Sequence, residues 1–153
     1  MSDITRRSLL ITLTGGVAAL AGVVGRAQAK PARTPILVFK DPSCGCCQKW
    51  VEHMAGNGFV PSVTNGDMPP IKKKYNVPSA LESCHTAAVG GYVIEGHVPA
   101  DLIHKVIKDR PPIVGLAVPG MPVGSPGMEG GKPEPYSVLT FDKNGKTAVY
   151  AKR

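Results

Sequence analysis

Residues 36–54 read ILVFKDPSCGCCQKWVEHM, and this stretch decides the fold. It opens with the apolar run Ile36–Phe39, which is typical of a buried strand. Asp41 and a proline end that run, and three cysteines follow within four residues. Apolar side chains at Trp50 and at the positions one and four residues later then mark one face of a helix. The stretch therefore predicts a strand, a cysteine-bearing turn and a helix.

More elements of the same two kinds follow along the chain. They are a strand at Phe59–Val63, a short helix opened by Asp67-Met68-Pro69-Pro70, a hairpin of Thr86–Val89 and Tyr92–Glu95 turning at Gly90-Gly91, and a helix opened by Pro99 and ended by Arg110-Pro111-Pro112. The predicted order, β-α-β-α-β-β-α, resembles that of a thioredoxin or glutaredoxin domain over residues 35–108. We therefore expect an α/β fold, a thioredoxin-like three-layer sandwich.

The C-terminal third has a different composition. Proline and glycine are so dense in residues 115–135 that we expect neither helix nor central strand there. Loops of this length are uncommon in compact domains and are usually functional or disordered. Beyond the loop, Tyr136–Phe141 and Thr147–Tyr150 flank a Lys-Asn-Gly-Lys turn, which predicts a C-terminal β-hairpin.

The first 29 residues have the pattern of an export signal. Arg6 and Arg7 precede an apolar run, Leu9–Val24, and Ala27-Gln28-Ala29 supplies a small-residue cleavage site. The segment resembles a twin-arginine signal. We predict cleavage after Ala29, a single metal-binding domain of residues 30–153, and a periplasmic location. The alternative is an uncleaved anchor, but the run is short for a span of about 20 residues, so we predict no membrane span in the mature chain.

The charge pattern argues against nucleic acid as a partner. The chain has 18 basic and 11 acidic residues, and the basic ones are scattered apart from Lys72-Lys73-Lys74. Aromatic residues make up only 5% of the chain, and none are interleaved with basic ones in the way that base-stacking proteins need. We interpret the excess charge as a solvated basic surface.

The cysteine spacing indicates thiolate chemistry. Cys44 and Cys47 have C-x-x-C spacing after a strand and at a helix start, where the helix dipole lowers a thiol pKa. Cys46 and Cys47 are adjacent, and two ordinary disulfides do not suit three cysteines in one turn. Three sulfurs in one turn suit a metal ion better.

Cys84 and His85 lie in the loop before the third strand, which in thioredoxin-like folds faces the C-x-x-C turn and ends in a cis-proline. Here a thiol and an imidazole replace that proline and add soft ligands to the dithiol. Because the next strand returns to the same edge, His97 should finish near Cys84. We expect His53 and His104, both within helices, to have ordinary structural roles.

Two methionines in the loop of residues 115–135 each follow a glycine. A thioether is a ligand that suits copper(I). We assign a site role to Met121 and a packing role to Met128.

Four separated motifs resemble one family: CGCCQKW from Cys44, SCHT from Ser83, EGHVP from Glu95 and GLAVPGMPVGSPGME from Gly115. It is the family of CopG-type periplasmic copper-resistance proteins. The resemblance implies a thioredoxin-like fold in which cysteine sulfurs hold copper, with several ions bridged by sulfur as one form of the site. It points to Cys44, Cys46, Cys47 and Cys84, and less directly to His85, His97 and Met121.

We therefore expect a periplasmic copper(I)-binding protein of copper resistance or homeostasis, which exchanges ions with other periplasmic copper-handling proteins. Storage, transfer and redox change of the ion are all open at this point, and so is enzymatic activity. Zinc fits less well, because Cys₄ zinc sites usually arise from two separated cysteine pairs. The alternative function is a periplasmic thiol–disulfide oxidoreductase, favoured by the C-x-x-C spacing and disfavoured by Cys46 and the missing proline.

Overall fold

The computed structural model describes residues 33–153, so the predicted export signal and its cleavage site lie outside the described residues. The fold is mixed α/β, with a seven-stranded sheet and three helices. In chain order the elements are β1 Thr34–Lys40, α1 Gly45–Gly56, β2 Phe59–Asn65, α2 Met68–Lys74, a 3₁₀ turn Ser79–Leu81, β3 His85–Val89, β4 Tyr92–Gly96, α3 Ala100–Asp109, β5 Gly115–Val118, β6 Ser137–Phe141 and β7 Thr147–Lys152.

The strands form one sheet in the order β2-β1-β3-β4-β5-β6-β7. β2 runs parallel to β1 and β5 runs parallel to β4, while the other neighbours are antiparallel. The antiparallel pairing of β3 with β4 sets Thr86 opposite Glu95. The start of β3 and the end of β4 therefore lie side by side, at the same end of these two neighbouring strands.

Buried apolar side chains cover both faces of the sheet. The larger cluster joins α1 and α3 to the strands and includes Trp50, Met54, Ile94 and Ile103. The smaller cluster contains Val77, Leu81, Val93, Ala117 and Phe141. The larger core fixes α1 against the sheet, and with it the cysteines at the start of the helix.

The prediction for residues 115–135 is wrong at its beginning. Gly115–Val118 forms β5, a fully buried strand between β4 and β6. Its four residues are apolar and precede the first proline, Pro119, so nothing prevents ladder hydrogen bonds. Gly115 is required because a Cβ atom there would collide with the carbonyl oxygen of Val93. The irregular loop begins only at Pro119.

Within residues 33–153 no helix has the length and apolar character needed to cross a bilayer.

Candidate metal centre

Three of the four sulfurs come from the turn that joins β1 to α1. The backbone N–H of Cys44 donates to the carbonyl of Asp41 at 3.1 Å, and the Asp41 carboxylate accepts from the Ser43 N–H at 2.7 Å. This turn leaves Cys44 as the residue that precedes the first turn of α1, with Cys46 and Cys47 inside that turn. The Cys44 and Cys46 sulfurs are 3.3 Å apart.

Cys84 supplies the fourth sulfur from the loop before β3. The Cys47 thiol lies 3.6 Å from the carbonyl oxygen of Cys84. The four sulfur atoms all lie within 4.8 Å of one another. All four cysteines are free thiols in the structure. The topology thus brings together the four cysteines that the sequence singled out.

Two histidines adjoin the sulfur of Cys84. His97 Nε2 lies 3.0 Å from Cys84 Sγ, and His85 Nδ1 lies 3.3 Å from it. His97 Nδ1 donates to the carbonyl of Pro126 at 2.7 Å, which turns Nε2 toward the sulfur. Cys84 therefore belongs to two groups of potential ligands, one with the other three cysteines and one with the two histidines.

His85 is completely buried. Its ring lies 4.3 Å from the Trp50 ring and 5.1 Å from the His97 ring, measured between centroids. Among the described residues, its Nε2 atom has no hydrogen-bond partner. Burial lowers the pKa of His85, which favours the neutral imidazole, and its Nδ1 faces the Cys84 sulfur as a potential ligand.

Met121 approaches the cluster from the loop that follows β5. Its Sδ atom lies 3.9 Å from Cys46 Sγ, and 44% of the residue is exposed. Its φ angle is +74°, a left-handed conformation that is costly for a non-glycine residue. Strained residues of this kind cluster at functional sites. The structure thus brings the Met121 thioether next to the cysteine cluster.

Met128 has a different environment. It lines a pocket of about 510 Å³ beside Cys46, together with Lys49, Val123 and Glu129. The thioether contact with the cysteine cluster is made by Met121.

Gly127 lets the loop pack directly on α1. A Cβ atom at this position would lie 2.8 Å from the Cys46 carbonyl oxygen and 2.9 Å from the backbone nitrogen of Trp50. The φ angle of Gly127 is +90°, which also favours glycine. Because the loop comes this close, the neighbouring Pro126 carbonyl reaches His97.

Known proteins resemble this chain in sequence and in structure. Residues 81–128 match the model of a family described as "Protein of unknown function, DUF411". No curated protein matches the chain. Two solved structures match with a TM-score of 0.74 and 43% identity, namely forms 2 and 1 of "Copper resistance protein copG". The alignments cover 78% of this chain and 98% and 96% of those chains. The chain belongs to the CopG family.

In this CopG family member, the pKa values of Cys46, Cys47 and Cys84 are shifted in different directions. The pKa of Cys84 is lowered, because the Cys47 thiol and both imidazoles lie beside its sulfur and stabilise the thiolate. The pKa of Cys47 is raised by the same contact with Cys84 and by burial. Burial also raises the pKa of Cys46 to about 12. These contacts therefore favour thiolate at Cys84 over Cys46 and Cys47.

This distribution differs from the expectation that the helix start would favour thiolate at Cys47. The contact with Cys84 and burial raise the pKa of Cys47, against a helix dipole whose effect is at most about 2 kcal/mol. Burial alone would lower the pKa of His97, but the contacts with Cys84 and with the Pro126 carbonyl raise it overall. The contact thus favours negative charge on the Cys84 sulfur and positive charge on the His97 ring.

His53 and His104 both have structural contacts away from the cluster. His53 Nε2 accepts from the Ala100 N–H at 3.3 Å, at the start of α3. His104 stacks on Phe59 and its Nε2 donates to the carbonyl of Asn57 at 2.7 Å, at the end of α1. Each satisfies a backbone group that a helix end leaves without a partner.

A buried polar network that the sequence patterns did not predict lies behind Cys84. Glu95 and Lys72 are buried and form an ion pair, and Ser83 and Thr86 bond to the same carboxylate. The glutamate inside the otherwise apolar strand Tyr92–Gly96 could have indicated a buried polar group. Lys72 gave no such indication, because it belongs to a run of three lysines that we interpreted as solvated.

The donor set of the site is soft. Four thiols, one thioether and two imidazoles converge, and within residues 33–153 no carboxylate joins these groups of potential ligands. Thiolate and thioether ligands select copper(I), zinc and iron–sulfur clusters over hard cations such as Mg²⁺. The arrangement can hold a soft metal ion, and the sulfur shared by two ligand groups can bridge two ions.

Proposed function

We propose that this protein binds copper(I) in the bacterial periplasm and contributes to copper resistance. The observation that carries the proposal is the convergence of four thiol sulfurs within 4.8 Å of one another, with the Met121 thioether 3.9 Å from one of them. Copper(I) prefers these ligands, and a methionine adds little to a zinc site. Membership of the CopG family supports the same conclusion.

The site would hold more than one ion. Cys84 Sγ lies within ligand distance of both the cysteine group and the histidine group, so its thiolate can bridge two metal positions. One position would have thiolate ligands and the other would add His85 and His97. We therefore propose a sulfur-bridged copper cluster with Cys44, Cys46, Cys47 and Cys84 as its thiolates.

The location and the fold class are part of the proposal. Residues 1–29 have the pattern of an export signal, and a twin-arginine route would export the protein already folded. Copper ions would then be exchanged with other periplasmic copper-handling proteins. We further propose that β1 to α3 form a thioredoxin-like domain in which Cys84 and His85 occupy the position of the usual cis-proline.

Reconstitution with copper(I) tests the proposal. Protein of residues 30–153 is purified and reduced under anaerobic conditions, loaded with copper(I), and desalted before metal analysis. The control replaces Cys44, Cys46 and Cys47 by serine and keeps every other residue. We expect at least one copper ion per chain in the wild type and a large loss in the control. Equal copper in the two proteins would refute the proposal, and a preference for zinc in direct competition would refute the choice of metal.

A thiol–disulfide oxidoreductase is the second candidate. It is favoured by one observation, the position of Cys44 and Cys47 at the start of α1, directly after a strand. The third thiol in the same turn argues against it, because a redox dithiol does not need Cys46. An insulin-reduction assay separates the two candidates.

A further inference from the structure

A fully buried ion pair lies directly behind the Cys84 loop. Lys72 of α2 and Glu95 of β4 are 4% and 0% exposed, and the Lys72 ammonium donates to Glu95 Oε1. The ammonium also donates to the Thr86 hydroxyl at 3.2 Å. Removing two such charges from water costs several kcal/mol per ion, and apolar residues of similar volume often give equal or greater stability. The pair is thus poorly explained by stability alone.

The remaining contacts of Glu95 indicate what the pair holds in place. Its carboxylate accepts from the Ser83 N–H at 2.6 Å through Oε1 and from the Thr86 hydroxyl at 2.7 Å through Oε2. Ser83 and Thr86 flank Cys84 and His85 in the sequence. One carboxylate therefore binds the backbone before, and a side chain after, two predicted metal ligands.

The residues that follow Glu95 also contact the loop that carries Cys84. Next to Glu95, Gly96 makes close contact with Ser83, since a Cβ atom at Gly96 would lie 2.7 Å from Ser83 Oγ. The following residue, His97, reaches Cys84 Sγ at 3.0 Å. The loop is thus aligned along the end of β4, and Glu95 is the charged anchor of that alignment.

We propose that Glu95, held in place by Lys72, is a positioning residue that fixes the loop of residues 83–86 so that Cys84 faces the cysteines of α1. The expected effect on copper affinity rests on the proposed function, whereas the effect on the placement of Cys84 does not depend on it. Partners that orient a metal ligand typically change metal affinity 10–100-fold when they are removed. Lys72 compensates the buried carboxylate, so removing Glu95 alone would leave an unpaired ammonium in the core.

Two double variants test the proposal. Lys72→Met with Glu95→Leu removes both charges and the acceptor of the Ser83 N–H. Lys72→Met with Glu95→Gln also removes both charges, but the amide oxygen can still accept from Ser83. A third variant, Lys105→Met with Asp109→Leu, deletes the exposed ion pair of α3 and controls for the loss of charge.

The first readout needs no copper. Metal-free reduced protein is treated with iodoacetamide, and the alkylation rate of Cys84 is followed by peptide mass spectrometry. We expect faster alkylation in the Leu double variant, and wild-type rates in the Gln double variant and the exposed-pair control. Wild-type rates in a folded Leu double variant would overturn the proposal. If that variant does not fold, Thr86→Val removes one of the anchors, and a wild-type rate there would overturn it as well.

The second readout is copper(I) affinity, measured with a competing chelator, together with the thiolate-to-copper absorption. We expect the Leu double variant to bind roughly 10–100-fold more weakly with an altered absorption, and the Gln double variant to recover most of the affinity. Identical titrations and spectra in both double variants would overturn a positioning role. If the wild type binds no copper, the proposed function fails, and the alkylation rates still decide the placement of Cys84.

Discussion

The imidazole of His97 lies with its Nε2 atom 3.0 Å from the sulfur of Cys84, and its other nitrogen donates to the carbonyl of Pro126. One ring thus connects the cysteine cluster to the loop that follows β5. The hydrogen bond to Pro126 fixes the ring, so that a metal ion replacing the Nε2 proton would meet a ligand that is already oriented. Cys84 belongs to both groups of potential ligands, the four cysteines and the group that it forms with His85 and His97.

Replacing Cys84 by serine should lower the copper stoichiometry or affinity and change the thiolate-to-copper charge-transfer absorption. The variant loses the sulfur that belongs to both ligand groups. The metal-free fold should stay within about 1 kcal/mol of wild type, because serine is nearly isosteric and metal-binding energy is absent from both apo proteins. A chelator-competition titration measures the first effect, and circular dichroism during urea unfolding measures the second. An unchanged titration curve with both apo proteins folded would contradict the assignment of Cys84.

Cys47→Ser should weaken copper binding severely. Cys47 is the buried cysteine of α1, and its thiol contacts the Cys84 carbonyl, so it lies on the inner side of the cluster. The measurement is atomic absorption after dialysis against a weak chelator. Ser43→Ala, one residue before the cluster and exposed, is the control. Equal copper content in Cys47→Ser and wild type would show that this sulfur is not a ligand.

Gly127→Ala should destabilise the protein and disturb the copper site. The added Cβ atom would lie 2.8 Å from the Cys46 carbonyl oxygen, and relief of such overpacking typically costs about 1–3 kcal/mol. Gly130→Ala is the matched control, because Gly130 also has a positive φ angle but has no neighbouring atom within 4 Å of the added carbon. We expect a lower urea midpoint and a weaker copper affinity for Gly127→Ala than for Gly130→Ala. Equal values would mean that the loop can move away from α1 without cost.

Met121→Leu should weaken copper binding and alter the absorption spectrum, whereas Met128→Leu should leave both unchanged. Leucine keeps the bulk of each side chain and removes the thioether, so the comparison isolates the sulfur atom. Met121 Sδ is 3.9 Å from Cys46 Sγ, while Met128 only lines the adjoining pocket. Titration of the two variants in parallel checks the prediction. A larger effect at Met128 would reverse the two assignments.

The protein should be a poor general disulfide reductase. Substrate peptides of thioredoxin-like enzymes lie against the cis-proline loop, and here that position would hold Cys84 and the completely buried His85. The assay is insulin reduction with dithiothreitol, with an ordinary thioredoxin as the positive control. Comparable rates would favour the oxidoreductase over the copper-binding protein.

The mixed α/β class could be predicted from the sequence, because apolar runs and helical periodicity are local features. The meeting of Cys84 with His97 was also predictable, since an antiparallel hairpin returns its second strand to the edge where the first begins. Met121 was singled out by its chemistry alone. Its left-handed backbone was not readable from its residue type.

Other features depend on tertiary contacts that no local pattern records. β5 was missed because the high glycine and proline content of residues 119–135 concealed four apolar residues just before it. Lys72 is buried only because α2 packs over β3 and β1 and brings the ammonium to Glu95. The pKa shifts of Cys47 and Cys84 depend on burial and on the contacts around each sulfur atom. Neither can be derived from the spacing of the cysteines in the sequence.

The sulfurs lie at different depths below the surface, and this difference has a kinetic consequence. Cys47 is buried, Cys44 and Cys46 are partly exposed, and Met121 is 44% exposed. A chelator or a delivering protein arriving from solvent meets Met121 and Cys46 first, so ions would be exchanged at the outer face. In the proposed copper cluster, an ion held by Cys47 and the two buried histidines could leave only after the outer ligands had released theirs. Copper would then be unloaded in a fixed sequence, with a fast phase and a slow one.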